Sequence, residues 1–570
     1  MFRTIFLFII LKCLFFLPSN AQDIPSPKND GWDSEFLSDE IQKQFYKIIS
    51  HARDGKDFHS LINDQAQMSA FNSEELVDLR NDEQVTIQKW NTKTSSKKPV
   101  VLTNSFANFI GLGQTSSEYK FKIKVSRIDI NEENAQARLL LFASSPRTEG
   151  IFQVNAAMDT KWIIKGDRPL LDSIHLLSYE NALLKSKSPW FTDATAAIFN
   201  NDDVFQQQIS FGMNEWLQRI ERYAGSNIYS RHGMAMGDAN GDGLDDVYVC
   251  QPGGLPNRLF LKQADGTLKD ASASARLDWL NDTRSALFID LDNDGDQDIV
   301  LGTFVGVYIC RNDNGIYKMV TKLNNIGRDV SSLVAADYDR DGYVDIYVCV
   351  YESEDRLNGT DVSGHSVYDS RVRGGTNLLF RNLIGKNKEQ WSFEDVTTSV
   401  GLDKGNERFT FAAAWEDYDN DGDQDLYIAN DFGLNCLYEN HNGKFTEISK
   451  QQGVQDYNPG MSATWGDLNR DGKFDLYVGN MFSSAGNRIT RQKQFNTNFE
   501  GVTNEKLMRF NRGNSMYLNS DNGFDEKQDG LGAQNALWAW SSLLGDIDND
   551  GWEDILCANG YITGPEAGDL

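Results

Sequence analysis

The amino-acid sequence predicts a mainly β protein: a six- or seven-bladed β-propeller that follows a small α+β domain. Two observations predict the propeller. A nine-residue acidic pattern, D-x-[DN]-x-D-G-x-x-D, occurs six times, and short runs of β-forming apolar residues stand on both sides of each copy. The copies begin 52, 47, 80, 50 and 79 residues apart, so three of the five spacings match the length of one four-stranded propeller blade.

Composition limits the classes of function. The chain has 570 residues, of which 40% are hydrophobic, so it can form several packed cores. Its 55 Lys and Arg against 83 Asp and Glu give a net charge of −28. Because a polyanion is bound through basic side chains, this charge argues against a nucleic-acid partner.

Residues 1–21 are predicted to be a signal peptide. Arg3 precedes an apolar run from Ile5 to Leu17, and the small residues Ser19 and Ala21 end the segment. We therefore expect an exported protein that is extracellular, on the cell surface or periplasmic. No later apolar run reaches the roughly 18–20 residues that a transmembrane span requires.

Residues 22–185 are predicted to form the α+β domain. The apolar positions Ile41, Phe45, Ile48 and Ile49 have helical spacing after the N-cap candidate Ser38, and Phe58–Ile62 is predicted to start another helix. Strands are predicted at 119–130, 135–143, 150–157, 161–164 and 170–179. Helices followed by a bent antiparallel meander resemble the cone-shaped SnoaL-like fold. No nucleophile–histidine–acid set stands out, and the isolated histidines are interpreted as surface or core residues: His51, His59 and His175.

Residues 186–230 are predicted to contain a closing strand and a docked helix. The segment Trp190–Thr195 parallels Phe393–Thr397, an outer-strand segment, so it is predicted to supply the outer strand of the last blade. The helix is predicted from five apolar residues at helical spacing and a glycine stop: Ile209, Met213, Trp216, Leu217, Ile220 and Gly225.

Residues 231–570 are predicted to be the propeller. A second hairpin signature, an asparagine followed by a short apolar run, occurs after most acidic loops and completes four strands per unit; it begins at Asn257, Asn377, Asn435 and Asn514. The aromatic residues before the loops, Phe288, Trp415 and Trp465, are predicted to pack between blades. Six blades carry the acidic pattern, and a seventh without it remains an open alternative.

Each acidic loop has the composition of a calcium site. Ca²⁺ takes six to eight oxygen ligands from carboxylates, amides and backbone carbonyls, and the glycine at position 6 permits the sharp turn. We expect side-chain ligands at positions 1, 3, 5 and 9 and the backbone carbonyl at position 7. In loop order these residues are Asp238, Asn240, Asp242, Leu244 and Asp246; Asp290, Asp292, Asp294, Asp296 and Asp298; Asp337, Asp339, Asp341, Tyr343 and Asp345; Asp417, Asp419, Asp421, Asp423 and Asp425; Asp467, Asn469, Asp471, Lys473 and Asp475; Asp546, Asp548, Asp550, Trp552 and Asp554.

An EF-hand begins in the same way but has a bidentate Glu at position 12. Here position 12 is an apolar residue or cysteine in every copy: Val249, Leu301, Val348, Ile428, Val478 and Cys557. The loops therefore fit an EF-hand poorly, and about six Ca²⁺ ions are expected in loops between strands.

These residues resemble the FG-GAP/VCBS repeats of integrin-alpha-type β-propellers, over about residues 230–570. The phrases GMAMGDANGDGLDDVYVCQPGGLPNRLF and DFGLNCLYENHNGKF are most similar to secreted proteins related to cartilage acidic protein and the ASPIC/UnbV group. The resemblance implies Ca²⁺ binding and secretion. The C-terminal segment of many such relatives does not follow Asp554, so the chain is interpreted as either a short member or a truncated sequence.

The predicted function is a binding or adhesion scaffold, with loops of the propeller face presented to a protein or carbohydrate ligand. Two insertions carry basic residues that could meet an acidic partner or a glycan, or could be ordinary loops: residues 351–376, with His365, Arg371 and Arg373, and residues 481–513, with Arg488, Arg491, Lys493 and Arg509. The alternative is an extracellular enzyme, either a polysaccharide hydrolase or lyase or an enzyme in the N-terminal domain. The sequence shows no catalytic set that decides for it.

Overall fold

The computed structural model describes residues 33–71, 75–90, 99–111, 118–131, 133–165, 168–186, 191–199, 202–216, 218–219, 231–324, 326–358, 373–492, 502–527 and 533–560. These residues form two compact units, the first ending at Trp190 and the second beginning at Phe191. The predicted signal peptide lies outside the described residues. Within the described ranges, no helix is long and apolar enough to cross a membrane.

In its described residues, the first unit contains a sheet of eight strands and two helices. The helices are α1 (Asp33–Arg53) and α2 (Leu102–Phe109), and a single 3-10 turn spans His59–Leu61. The strands are β1 (Ile62–Met68), β2 (Leu76–Asn81), β3 (Val85–Trp90), β4 (Val100–Val101), β5 (Lys120–Ile130), β6 (Asn134–Arg147), β7 (Gly150–Lys165) and β8 (Arg168–Leu184). They are ordered β2-β3-β8-β7-β6-β5, with β1 parallel to β8 and antiparallel to β4.

The core of the first unit forms between α1 and the sheet. Ile41, Phe45 and Ile48 recur every three or four residues on α1 and have no exposed surface, as the helical spacing predicts. The Phe45 ring packs edge-on against Phe106 of α2, at 6.0 Å between centroids, and against Trp162 of β7, at 6.3 Å. The α+β composition of this unit is therefore as predicted, whereas the cone-shaped arrangement stays a prediction.

Three local predictions for the first unit are wrong. Helix α1 begins at Asp33, so Ser38 is a buried residue inside the helix and not its N-cap. Phe58–Ile62 does not start a second helix, because the 3-10 turn leads directly into β1. The predicted strands at 150–157 and 161–164 are one strand, β7: Asp159 in the polar stretch between them pairs with Arg138 of β6, at 2.8 Å.

The second unit begins with short helical segments: α3 (Thr195–Phe199), a π-helical turn (Phe205–Ile209) and α4 (Met213–Trp216). The structure differs here from the predicted closing strand. Described residues 191–194 have no strand structure, and α3 follows them. Phe199 of α3 packs against Phe260, at 5.0 Å between centroids, so this segment contacts the first sheet of the unit. Of the predicted helix, Leu217, Ile220 and Gly225 lie outside the described residues.

Six small antiparallel sheets make up the rest of the described second unit. The first sheet contains β9 (Met234–Gly237), β10 (Asp246–Val249), β11 (Arg258–Lys262) and β12 (Leu268–Asp270), and the second contains β13 (Thr283–Ile289), β14 (Asp298–Thr303), β15 (Gly306–Arg311) and β16 (Lys318–Lys322). The third sheet contains β17 (Val330–Ala336), β18 (Asp345–Val350), β20 (Leu378–Asn382) and β21 (Phe393–Asp395), and the fourth contains β19 (Gly375–Thr376), β22 (Glu407–Glu416), β23 (Asp425–Phe432), β24 (Cys436–Asn440) and β25 (Phe445–Glu447). The fifth sheet contains β26 (Gly460–Gly466), β27 (Asp475–Asn480), β28 (Ser515–Ser520) and β29 (Gly523–Glu526), and the sixth contains β30 (Ala539–Gly545) and β31 (Asp554–Asn559). Repeated sheets of this kind are consistent with a β-propeller-like fold.

Short helices occur in the connections of the second unit: α5 (Glu354–Leu357), α6 (Thr397–Val400), α7 (Ser449–Gln452), α8 (Ser484–Ile489) and α9 (Val502–Arg509). Helices α5, α8 and α9 belong to the two insertions. His365, Arg371 and Lys493 lie outside the described residues. Arg488 is buried, and the partly exposed Arg509 pairs with the buried Asp456, at 2.6 Å.

Aromatic pairs pack neighbouring sheets together, as predicted for the aromatic residues before the loops. A buried tyrosine on the second strand of one sheet meets an aromatic ring on the first strand of the next, with ring planes 84–85° apart. The pairs are Tyr248–Phe288, Tyr347–Trp415 and Tyr427–Trp465, at 6.4, 6.2 and 6.2 Å between centroids. The five described cysteines are free.

Candidate metal centres

Each acidic loop joins the first two strands of its sheet and is folded by its own carboxylates. The Asp at position 1 accepts hydrogen bonds from backbone N–H groups later in the loop: Asp337 accepts from Asp341, at 3.0 Å, and from Gly342, at 2.9 Å. The Asp at position 5 accepts from the N–H of position 7. The glycine at position 6 has φ between 82° and 96° in all six loops, which explains why only glycine occurs there.

In four loops, this folding brings three carboxylates together. One oxygen from each lies within 4.8 Å of the other two in the sets Asp290/Asp292/Asp294, Asp337/Asp339/Asp345, Asp417/Asp419/Asp425 and Asp546/Asp548/Asp554. In the first and fifth loops position 3 is an amide, and the Asn240 and Asn469 side chains donate to Asp242 and Asp471, at 3.0 and 3.1 Å. These two loops therefore offer one carboxylate fewer.

Several carboxylate oxygens in the loops have no donor. Asp292 Oδ1, Asp296 Oδ1, Asp339 Oδ1 and Asp417 Oδ1 are shielded from solvent, and no hydrogen-bond partner lies near them among the residues described. A buried carboxylate oxygen without a partner is costly. A hard divalent cation, which binds oxygens, would satisfy them, so the donor set fits Ca²⁺.

The pKa values of several loop carboxyls are raised, which also fits a site for a cation. Burial, reinforced by neighbouring carboxylates, raises the pKa of Asp298 to about 7 and those of Asp345 and Asp425 to about 8. It raises the pKa values of Asp296 and Asp475 to about 6. The ionised form of these carboxyl groups is therefore disfavoured by their buried surroundings.

The Asp at position 9 has a second role that sequence reasoning missed. It starts the second strand and accepts two backbone hydrogen bonds: Asp425 accepts from Tyr418 N at position 2, at 3.3 Å, and from Asn440 N on the third strand, at 2.7 Å. The same pair of bonds occurs in the other four-strand repeats, at Asp246, Asp298, Asp345 and Asp475. Position 9 thus fixes the loop to its own sheet.

An asparagine at the end of the third strand links the loop of its own sheet to the preceding loop in the second to fifth sheets. Asn440 Nδ2 donates to Gln424 O of its own loop, at 3.0 Å, and to Tyr338 O of the preceding loop, at 2.9 Å. Equivalent bonds to the preceding loop are made by Asn312 to Ala239 O (3.1 Å), Asn382 to Leu291 O (2.9 Å) and Asn519 to Tyr418 O (2.9 Å). The signal was available in the sequence: in three repeats this Asn follows the hairpin Asn by five residues.

Neighbouring loops also touch through position 4. Asn293 Nδ2 donates to Gly342 O, at 2.9 Å, Arg340 pairs with Asp423, at 2.9 Å, and the Arg470 guanidinium lies 5.1 Å from the centre of the Trp552 ring. The sequence predicts a role for the backbone carbonyl at position 7 and none for its side chain. In these loops Asp423 and Trp552, both at position 7, contact the preceding loop.

A further group of potential ligands consists of Asp421, Asp423 and His441. The two Asp423 oxygens are already used by Arg340 and by the N–H of Asn442, each at 2.9 Å. This group is therefore less open to a cation than the four loop sets.

The three histidines of the first unit each contact a polar group. His51 contacts the Asp57 carbonyl, at 2.7 Å, and His59 contacts the Asp57 side chain. His175 Nδ1 lies 3.4 Å from Ser69 Oγ, a contact that the sequence did not indicate. Ser69 Oγ already accepts from Leu176 N, at 3.0 Å.

Comparison with known proteins identifies the repeats. Residues 238–301, 290–348 and 417–478 match the FG-GAP-like repeat. The matched segments cover five of the six acidic loops and less than half of the chain. No curated protein matches the chain. The predicted relation to the ASPIC/UnbV group stays a prediction.

Solved structures to which the chain is similar include an Agrocybe aegerita lectin that recognises non-reducing terminal N-acetylglucosamine (16% identity, 57% of this chain, 74% of the lectin, TM-score 0.34). They also include the V. cholerae biofilm matrix protein Bap1 (16% identity, 45% of this chain, 36% of that one, TM-score 0.27) and the S. rosetta CaMKII hub (9% identity, 25% and 95%, TM-score 0.18). At these scores the likeness carries no argument about function.

Proposed function

We propose that this chain is an exported, calcium-stabilised β-propeller that acts as a binding or adhesion scaffold for a protein or a carbohydrate. The observation that supports the calcium sites best is the set of buried, unpartnered carboxylate oxygens inside loops whose other carboxylates converge on the same point. The FG-GAP-like repeats and the repeated small sheets support the scaffold. The cone-shaped arrangement of residues 22–185 is part of this proposal.

The side chains at positions 1, 3, 5 and 9, with the carbonyl at position 7, would hold the ion. Bound Ca²⁺ would supply two positive charges to each carboxylate cluster. Residues of the chain itself hold each loop in place. The Asp at position 9 connects the loop to its own sheet by hydrogen bonds, and the third-strand asparagine connects it to the preceding loop. Stiffened in this way, the sheets would hold the remaining loops in fixed positions for a partner.

Thermal unfolding with a metal count tests the calcium sites. Extracellular sites of this kind have dissociation constants on the order of 10⁻⁴–10⁻³ M. At about 10 mM Ca²⁺, each site would then stabilise the folded state by about 1.4–2.7 kcal/mol relative to EGTA. We expect a large rise in the melting temperature and about six ions per chain by mass spectrometry; no rise and no bound ion would refute the proposal.

A single substitution sharpens the test. Asp292 contributes an unpartnered oxygen to the second loop, so Asp292→Ala should lower the ion count by about one and reduce the Ca²⁺-dependent stabilisation. In EGTA the same variant should be at least as stable as the parent, because burial raises the pKa of Asp292 and its charge is unfavourable without a cation. The matched control is Asp265→Ala in the exposed β11–β12 turn, which should leave the ion count unchanged.

A further inference from the structure

A cavity of about 310 Å³ lies at the fourth sheet, apart from the acidic loops. One wall is formed by Lys404 and Gly405, in the connection between the third and fourth sheets, and by Arg408 at the start of β22. The other is formed by the fourth sheet itself, through Leu434, Cys436 and Phe445. The lining therefore combines an apolar surface with two cations, Lys404 and Arg408, and one carboxylate, Glu447.

The two cations in the lining of this cavity outnumber its one carboxylate. Its lining carboxylate, Glu447, accepts hydrogen bonds from the N–H and the hydroxyl of Ser449. Arg408 Nε is shielded from solvent and has no hydrogen-bond partner in the described part of the chain. No ion pair of Arg408 is found there, although the whole chain has 83 acidic residues. A shielded guanidinium donor without an acceptor is expected to bind an anion from outside.

Backbone geometry makes room for this arginine. Gly433 has φ of 108°, and a Cβ atom there would lie 2.6 Å from Arg408 Cδ and 3.3 Å from Nε. Any larger residue at 433 would therefore displace the Arg408 side chain. Burial raises the pKa of the Cys436 thiol to about 12, so this cysteine stays protonated and is an apolar wall, not a nucleophile.

We propose that this cavity binds a small carboxylate, with Arg408 as the main recognition residue and Lys404 as a second cation at the mouth. A guanidinium recognises a carboxylate through two parallel hydrogen bonds, and Phe445 and Leu434 provide an apolar surface for the rest of the molecule. The volume limits the ligand to about the size of one hexuronic acid or one amino acid. This inference rests on the proposed binding function and names the ligand class.

Ligand-observed NMR titration of the Ca²⁺-loaded full chain tests the proposal. The probes are galacturonate, N-acetylaspartate, inorganic phosphate and glucose. We expect the carboxylates to bind with a dissociation constant on the order of 1 mM, glucose not to bind, and phosphate to bind more weakly than the better carboxylate. If galacturonate binds more tightly than N-acetylaspartate, the natural ligand is an acidic sugar. If N-acetylaspartate binds more tightly, the natural ligand is a peptide carboxylate.

The variant Arg408→Met keeps the length of the side chain and removes the charge, so it should weaken carboxylate binding at least tenfold. The control Arg276→Met removes an exposed arginine in the connection between the first and second sheets and should have no effect. If Arg408→Met unfolds, Lys404→Met at an exposed position serves instead, with an expected loss of about threefold.

Four results would overturn the proposal: no carboxylate binding, equal binding of glucose, phosphate binding as tight as the carboxylates, or unchanged binding in the folded variants. The melting temperature with EGTA and with Ca²⁺ is measured on the same samples. A calcium shift without carboxylate binding refutes only this cavity, and carboxylate binding without a calcium shift refutes only the calcium sites.

Discussion

The asparagine at the end of the third strand should be the most sensitive position between two neighbouring repeats. Asn440 is fully buried, and its side chain makes three hydrogen bonds: it donates to Tyr338 O and Gln424 O and accepts from Gly443 N, at 2.9 Å. Asn440→Ala removes all three and leaves buried backbone groups without partners. At about 1 kcal/mol for each lost bond, the free energy of unfolding should fall by about 3 kcal/mol.

Urea unfolding in the presence of Ca²⁺ measures this loss, with Asn324→Ala as the control. Asn324 is exposed, so its substitution should change the free energy of unfolding by less than about 0.5 kcal/mol. Hydrogen exchange locates the effect. Because Tyr338 belongs to the preceding loop, protection should decrease in the third acidic loop as well as in the fourth.

Two results would refute this reasoning. One is a loss in Asn440→Ala no larger than in the control. The other is reduced protection in the fourth sheet alone, which would mean that the bond to Tyr338 O does not hold the neighbouring loop.

Three further predictions concern other parts of the chain. Arg509→Met should lower the free energy of unfolding in urea by about 3–5 kcal/mol, because it leaves the fully buried Asp456 carboxylate without its ion pair. A decrease below about 1 kcal/mol would contradict this. In EGTA, thermal stability should fall from pH 6 to pH 8 by up to about 2 kcal/mol per carboxyl. The folded-state pKa values of Asp345 and Asp425, about 8, lie above their unfolded values, so the stability is present at low pH and is lost as pH rises. An increase in stability over this interval would be inconsistent with these pKa values. Phe45→Ala should destabilise the first unit by about 3–5 kcal/mol in urea unfolding, since the ring is fully buried between two other rings. A free energy of unfolding close to that of the parent would contradict this and show that the neighbouring side chains fill the gap.

The repeats could be predicted because their local rules are strict. A left-handed φ at position 6 requires glycine, and the Asp at position 9 is the first residue of the second strand in all six sheets. What the sequence pattern could not show is the number of bonds each carboxylate already makes. Asp425 is predicted from the sequence to be a metal ligand. In the structure both its oxygens also accept backbone hydrogen bonds, and one of these bonds depends on where the third strand lies.

The predicted closing strand shows why local likeness can mislead. Trp190–Thr195 and Phe393–Thr397 share an Asp two residues before a Thr. In the structure, Asp193 accepts from Thr195 N, at 3.0 Å, and Asp395 accepts from Thr397 N, at 3.1 Å, and a helix begins at each Thr. The shared residues thus specify a turn into a helix. Whether the preceding residues form a strand depends on a neighbouring edge, which no local pattern contains.

The links between loops also have a consequence for the order in which the chain matures. The carbonyl of Ala239 accepts a hydrogen bond from Asn312, which is synthesised 73 residues later, and the carbonyl of Tyr338 accepts one from Asn440, 102 residues later. At about 5–20 residues per second of synthesis, each loop would stay incomplete for roughly 4–20 seconds after it is made. Each sheet is thus completed by the one that follows it, and the acidic loops would become rigid one after another from the N-terminal side.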